Sequence, residues 1–283
     1  MTAPSQFAIN AIEPQPHSAS SAYYAINSAP EHAREQLRGL YALHRKWREA
    51  ANYSDNHQAV TTLNWWHHEL ERSQNQNTEH PALRALQTSS ALLSTTTAEA
   101  LQTLLHGHMH WHHLNRVDTE AQLQPTIDAI GGSFARLWMD ACGVSAEGEL
   151  IAVAGRALVW TDLLRHVGYN LSNKRVWIPM QWLKDTQTPA HILLKTDQSP
   201  SERAQQLQPL ITRITDQAKT EFNHYQTHYR QLPKAQQKAL RSWHILMQLR
   251  MDLLNTIVQE PSELFEGLVS IAPLRKWWRV VRS

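Results

Sequence analysis

Two short segments of the chain concentrate polar side chains at one-turn spacing. Arg48 and Asn52 stand four apart within residues 41–52, and His166 and Asn170 do the same within residues 161–170. On a helix that spacing puts each pair on one face. A guanidinium, two amides and an imidazole suit hydrogen bonding and the holding of an anion. They are poor partners for Mg²⁺, a hard cation that is usually held by carboxylates. Two carboxylates lie nearby as possible substitutes. Glu49 follows Arg48 but faces about 100° away round the helix, and Asp162 forms a column with His166 and Asn170 at i, i+4 and i+8. If the two segments face each other, Arg48 is expected to pair with Asp162 or Glu49. The set contains no obvious catalytic residue and no metal-ligand group.

These segments need rigid carriers, and the rest of the chain supplies helices. Only 9 glycines occur in 283 residues, and period-2 alternation is nearly absent, so the pattern is helical almost throughout. Ser28-Ala29-Pro30-Glu31 predicts a capping box with Pro at the first helical position, and Ser199-Pro200-Ser201-Glu202 predicts another. Thr96 is expected to cap a third helix ahead of Glu99. Further helices are expected at 57–73, 81–92, 119–142, 148–170, 234–258 and 273–281, with an irregular stretch over 171–200. Linkers are short and similar in composition, which predicts one all-α domain over 21–283 behind a mobile tail over 1–20.

Composition narrows the class. The apolar share of 42% fits a globular chain. A formal charge of +2 is too balanced to argue for nucleic acid as a partner. The single Cys142 excludes an internal disulfide, fits a reducing compartment and reads as a buried small hydrophobe. No apolar run approaches the ~18 residues of a membrane span, and residues 1–21 lack the features of a secretory signal. A cytoplasmic protein is expected.

Several short motifs follow one another in order. They are Ser21-Ala22-Tyr23-Tyr24, Leu40-Tyr41-Ala42 with Arg45, and Leu63-Asn64-Trp65-Trp66-His67-His68-Glu69-Leu70. After these come His80-Pro81, Arg84-Ala85-Leu86, Leu164-Arg165 with Gly168, Arg175-Val176-Trp177-Ile178-Pro179, and Pro273-Leu274-Arg275-Lys276-Trp277-Trp278. Together the series resembles the squalene/phytoene synthase family over about residues 21–279. The resemblance implies an all-α isoprenoid synthase helical bundle around a central cavity. It also implies an activity, the head-to-head joining of two prenyl diphosphates held by Mg²⁺ on two facing Asp-x-x-x-Asp helices. This chain departs from the family at that point. Arg48, Asn52, His166 and Asn170 stand where the family has its four aspartates. Tyr53 and Tyr169 replace acidic companions, and Trp111 lies near the place of a further aspartate. The basic residues survive better. Tyr24, Tyr41, Arg45, Arg165, Lys174 and Arg175 are candidate contacts for a diphosphate or another anionic head group, the alternative being structural pairing or a solvated surface.

Three other clusters invite chemistry. His106, His108, His110, His112 and His113 include pairs at the i, i+4 spacing that zinc accepts. No His-Glu-x-x-His pattern or nearby cysteine accompanies them, so ordinary packing is the simpler reading. Trp65, Trp66, Trp138, Trp160 and Trp243 fall on expected core faces, while Trp47, Trp111 or Trp160 could instead plug a cavity. Residues 275–282 mix Arg and Lys with Trp and Val. They read either as a peripheral contact with an anionic membrane surface, such as an inner membrane, or as a closing helix packed through its tryptophans.

Two function classes follow. The first is a degenerate family member without Mg²⁺-dependent transfer, binding a prenyl diphosphate or other isoprenoid lipid, or acting with a protein partner in assembly. The second is a true prenyltransferase with a rebuilt anion site, the one case that would call for Mg²⁺.

Overall fold

The computed structural model describes residues 16–18, 20–74, 78, 80–87, 95–114, 116–146, 148–195 and 197–282, and among them every regular element is helical. The chain runs α1 (Ser21–Asn27), α2 (Glu31–Ala51), α3 (Asn56–Gln74), α4 (Pro81–Gln87), α5 (Thr95–His113) and α6 (Glu120–Ile127). A π-helical turn over Asp128–Gly132 joins α6 to α7 (Ser133–Ala141). Then follow α8 (Gly148–Arg165), α9 (Val167–Ser172), α10 (Met180–Asp185), a 3₁₀ turn (Ala190–Leu194), α11 (Pro200–Gln231), α12 (Lys234–Ala239), α13 (Arg241–Gln259), α14 (Glu263–Glu266) and α15 (Pro273–Arg282).

The all-α class expected from the sequence is correct. Local signals fared unevenly. The box at Ser199 forms as expected: Ser199 Oγ accepts from the Glu202 amide, and Glu202 accepts from the Ser199 amide at 2.8 Å. The box at Ser28 does not. Pro30 is the N-cap of α2, and Ser28 Oγ donates to the Tyr24 carbonyl at 2.8 Å, closing α1 instead. Thr96 is no cap either, because α5 already begins at Thr95. Three expected long helices are interrupted. The 119–142 helix carries the π turn, the 234–258 helix breaks at Leu240, and the 148–170 helix breaks at His166. At His166 the cause is local: its ring Nδ1–H donates to the Asp162 carbonyl at 2.6 Å, alongside the backbone bond that the same carbonyl accepts from the His166 amide. The stretch at 171–200 holds α10 and the 3₁₀ turn. Residues 88–92 of the helix expected over 81–92, and 1–15 and 19 of the expected tail, lie outside the described residues.

One connected apolar cluster runs through the bundle and contains the buried indoles of Trp47, Trp138, Trp160, Trp182 and Trp243. α8 is apolar on nearly every side and packs on α7, α11 and α13, so it is the axial helix of the bundle. Cys142 is buried here, and burial pushes its thiol up to about 11, consistent with a packing role. Among the described residues no helix is long and apolar enough to cross a membrane.

Close backbone contacts fix the helix spacing around the site. A Cβ on Gly155 of α8 would lie 2.2 Å from the carbonyl carbon of Gly131 in the π turn, and one on Gly168 would lie 1.9 Å from the Leu264 carbonyl oxygen. Only glycine permits such approaches. A Cβ on the neighbouring Gly132 would meet nothing within 4 Å. Gly155→Ala is therefore expected to cost about 3 kcal/mol through forced separation of backbones. Gly132→Ala should be neutral or stabilise by up to about 1 kcal/mol, because alanine favours the helix. Denaturant melts of both variants beside the parent check the contrast.

Candidate functional site

The helices α2, α5, α8 and α9, with the π turn, enclose a cavity of about 450 Å³. Its apolar wall comes from Trp111, Ile130, Leu158, Val159 and Leu163, and its polar wall from Arg48, Asn52, Asp162, His166 and Asn170, with Glu49 at the edge. All four motif positions and both substitute carboxylates from the sequence thus line one space. Of the possible plugs, Trp47 and Trp160 are buried in the core and stand outside the lining, and only Trp111 reaches it.

Asp162 organises the polar wall. The expected pairing with Arg48 is present, with Arg48 Nη1 3.4 Å from Asp162 Oδ2. A second cation, Arg250 of α13, approaches Oδ1 at 2.7 Å. The carboxylate is only 14% exposed. Burial alone would raise its pKa, but Arg250 and Arg48 outweigh that and hold it at about 2. Arg165 lies close by. Burial first, then repulsion from Arg250, lowers its guanidinium to about 10, so it stays charged at neutral pH. Arg250 escaped the sequence reading. It stands among Leu246, Met247, Leu253 and Leu254, all buried, and a lone arginine inside an apolar stripe was the available signal.

The remaining motif residues hold the helix ends. Asn52 ends α2, donating its side-chain amide to the Arg48 carbonyl at 2.7 Å and accepting from Arg175 Nη1 at 2.9 Å. Arg175 also reaches the Ala51 carbonyl at 2.6 Å and His112 Nδ1 at 3.0 Å. With Nδ1 accepting, His112 Nε2–H donates to Asn56 Oδ1 at 2.8 Å. Arg175 therefore staples the end of α2 to the loop after α9, and burial lowers its pKa. His166 is held uncharged near 4, by burial and then by the Arg48 charge.

Two buried histidines close the inner end. His108 Nε2 and His44 Nδ1 are 3.2 Å apart, so one is donor and the other acceptor. Burial, with help from Arg48, lowers His44 to about 3 and His108 well below its ordinary value, and both rings are neutral. His108 Nδ1 is buried without a partner, and both His44 and His108 line the cavity. Neither ring was singled out from the sequence as part of this site.

The other expected contacts lie elsewhere. Tyr24, Tyr41, Arg45, Arg165, Lys174 and Arg175 are not among the lining residues. Arg45 pairs with Glu49 at 3.7 Å, Arg165 Nε donates to the Val269 carbonyl at 2.8 Å, and Lys174 is exposed in a left-handed turn with φ 58°. The histidines of α5 diverge. His108 turns to His44, His110 to Thr126 at 2.8 Å, His112 to Asn56, and His106 stacks on His67. Among the described residues, the group within metal-ligand reach is the largely exposed His67, His68 and Glu71 on α3. The Trp65-Trp66 motif packs with Trp47 and His80, seating α3 on α2.

A family model described as squalene/phytoene synthase matches residues 15–278. No curated protein matches the chain. Among solved structures, the fold is similar to that of a dehydrosqualene synthase in complex with ligand, with TM-score 0.75, 15% identity, and coverage of 93% of this chain and 89% of that one. It is also similar to the squalene synthase HpnC from Alicyclobacillus acidocaldarius, with TM-score 0.68, 17% identity and coverage of 84% and 87%. A third is YisP from Bacillus subtilis subsp. subtilis strain 168, with TM-score 0.63, 12% identity and coverage of 92% and 89%.

The buried histidines set an acid limit on stability. Folded pKa values of about 3 for His44 and about 4 for His80, His166 and His244 lie below the unfolded value of 6.5. The unfolded chain therefore takes up protons first, and stability that is complete above pH 6.5 drains as pH falls toward 4. Asp162 adds its loss only below about pH 4, as its own folded value is approached. Thermal midpoints should fall from pH 7 to pH 5. His44→Gln should make the stability slope shallower by up to about 1.4 kcal/mol per pH unit.

Proposed function

The chain belongs to the squalene/phytoene synthase family, and from that premise we propose that it is a member without magnesium-dependent prenyl transfer. In this reading it holds an isoprenoid lipid, with a prenyl diphosphate the first candidate, and acts as a binding or assembly-type protein. The observation that carries the reading is the clasping of Asp162 between Arg48 and Arg250.

The donors present do not fit Mg²⁺. The cation wants several oxygen ligands in near-octahedral array. Two carboxylates line the cavity. Both oxygens of Asp162 already face guanidinium groups, and Glu49 is paired with Arg45 and Lys46. Arg48 would add direct repulsion to any metal beside Asp162.

The same residues suit a ligand with an apolar chain and an anionic head. A volume of about 450 Å³ falls within the range of small-molecule sites. Ile130, Leu158, Val159 and Leu163 offer the chain an apolar wall. Arg48 spends Nη1 on Asp162 and can turn its planar fork toward a phosphate. The neutral His44 can donate from Nε2 when its Nδ1 accepts from His108, whereas His166, whose Nδ1–H is given to the Asp162 carbonyl, presents only an acceptor.

Calorimetry with farnesyl and geranylgeranyl diphosphate, each with Mg²⁺ and with a chelator, tests this. Binding should survive the chelator, no diphosphate should be released, and Arg48→Ala should weaken binding by about tenfold or more. Release of diphosphate with a coupled hydrocarbon product would replace this reading with that of a head-to-head prenyltransferase. An absence of binding under both conditions would remove the lipid-binding reading.

A further inference from the structure

The C-terminal helix α15 is mounted inside out. Leu274, Trp277, Trp278 and Val281 stand at i, i+3, i+4 and i+7, the spacing of a single apolar face. An amphipathic helix on a soluble bundle turns that face to the core. Here the four residues are 74%, 49%, 47% and 57% exposed, while Lys276, from the opposite side, is 4% exposed. The tryptophans thus do not pack the helix down, contrary to the reading of an ordinary closing helix.

Polar contacts impose this orientation. Arg279 Nε donates to the buried Asp252 of α13 at 2.9 Å, and Arg241 Nη2 donates to the Val280 carbonyl at 2.9 Å. Lys276 Nζ donates to Ser270 Oγ at 3.3 Å. Each bond lies on the inner side, so rolling the helix to bury its tryptophans would break them all and strand the Asp252 carboxylate. Leu268, in the approach to the helix, adds another exposed apolar side chain at 57%.

We infer that the outer face of α15 docks on an anionic phospholipid surface, lying in the plane of the interface. Charge decides between occupants. No acidic residue occurs in α15, and Arg282 borders one edge of the apolar strip, stacked 4.4 Å from the Trp278 ring centroid, while Arg275 at the same edge also reaches the buried Asp252 at 3.6 Å. A second copy of the chain would bring the same arginines face to face around a two-fold axis. Indole rings beside arginines match the layered polarity of a lipid head-group region, where apolar side chains reach the acyl boundary and cations meet lipid phosphates. The surface stands independently of what fills the cavity.

Co-sedimentation of the full chain with vesicles tests the inference. One set is pure phosphatidylcholine, the other a mixture with phosphatidylglycerol. The protein should partition onto the anionic vesicles and be released by high salt, since surface charge attraction is screened. Trp277→Ser with Trp278→Ser should lower the partition coefficient by about tenfold or more, and Arg282→Glu, which leaves the Asp252 contacts in place, should lower it by about threefold or more. Circular dichroism melts should match the parent for the tryptophan pair, whose side chains lie on the outer face. No partitioning of the parent, or equal partitioning of parent and tryptophan variant, overturns the inference. So does a concentration-dependent dimer, seen by light scattering, that the tryptophan variant dissolves while vesicle binding is unchanged.

Discussion

A carboxylate buried between two guanidinium groups governs this molecule. Asp162 ties three helices at one point: α8 through its own backbone, α2 through Arg48 and α13 through Arg250. Removing either cation leaves a buried charge under-compensated, a change that costs several kcal/mol in other proteins, about 3–5. The polar wall depends on this knot. Arg48 is turned inward by it, His166 hangs from the Asp162 carbonyl, and the positive charges of Arg48 and Arg250 help keep the neighbouring imidazoles neutral. Both oxygens of the Asp162 carboxylate, the acidic group between the two motif helices, face nitrogen.

The knot connects with the rear of the bundle. α13 carries Arg250 toward the cavity and, two residues on, Asp252 toward α15. Lys276 on the inner side of α15 is close enough to Arg165 and Arg250 that burial first, and then their charges, lower its pKa. The Arg165 guanidinium meanwhile holds the Val269 carbonyl in the approach to that helix. Opposite charges thus alternate at each end, Arg48–Asp162–Arg250 at the cavity wall and Asp252–Arg279 at α15, with the cations Arg165, Arg250 and Lys276 close together between them. Both ends rest on arginine because its forked donors satisfy a carboxylate and a carbonyl without losing charge on burial.

Much of the fold was legible in the sequence because helical periodicity and scarce glycine survive any rearrangement of contacts. The interruptions were not. The break at His166 depends on which partner its ring takes within its own helix, and the π turn at Asp128–Gly132 lies where the backbone of α8 at Gly155 comes close. Helical spacing reveals neither. At the site, the one-turn spacing of Arg48 with Asn52 and of His166 with Asn170 located the polar wall. Asp162 was recognisable as Arg48's partner from its place one turn before His166. Arg250 and His108 come from distant helices, and nothing in residues 41–52 or 161–170 points to them. Arg175 was a candidate ligand contact from the family resemblance, with structural pairing as the alternative. In the fold its guanidinium is engaged by Ala51, Asn52 and His112, contacts set by a loop path that sequence spacing does not reveal.

The contact between Gly131 and Gly155 carries a consequence for how such a cavity diversifies. Two main chains touch there, so neither position tolerates even a methyl group, and a change at one cannot be offset by a change at the other. The floor at that level is an invariant of the architecture. Depth and width can then be retuned only through side chains that project past it, chiefly Ile130, Leu158, Val159 and Leu163. Divergence of cavity shape among descendants of this chain would be written at those four positions, and the glycine pair would remain silent.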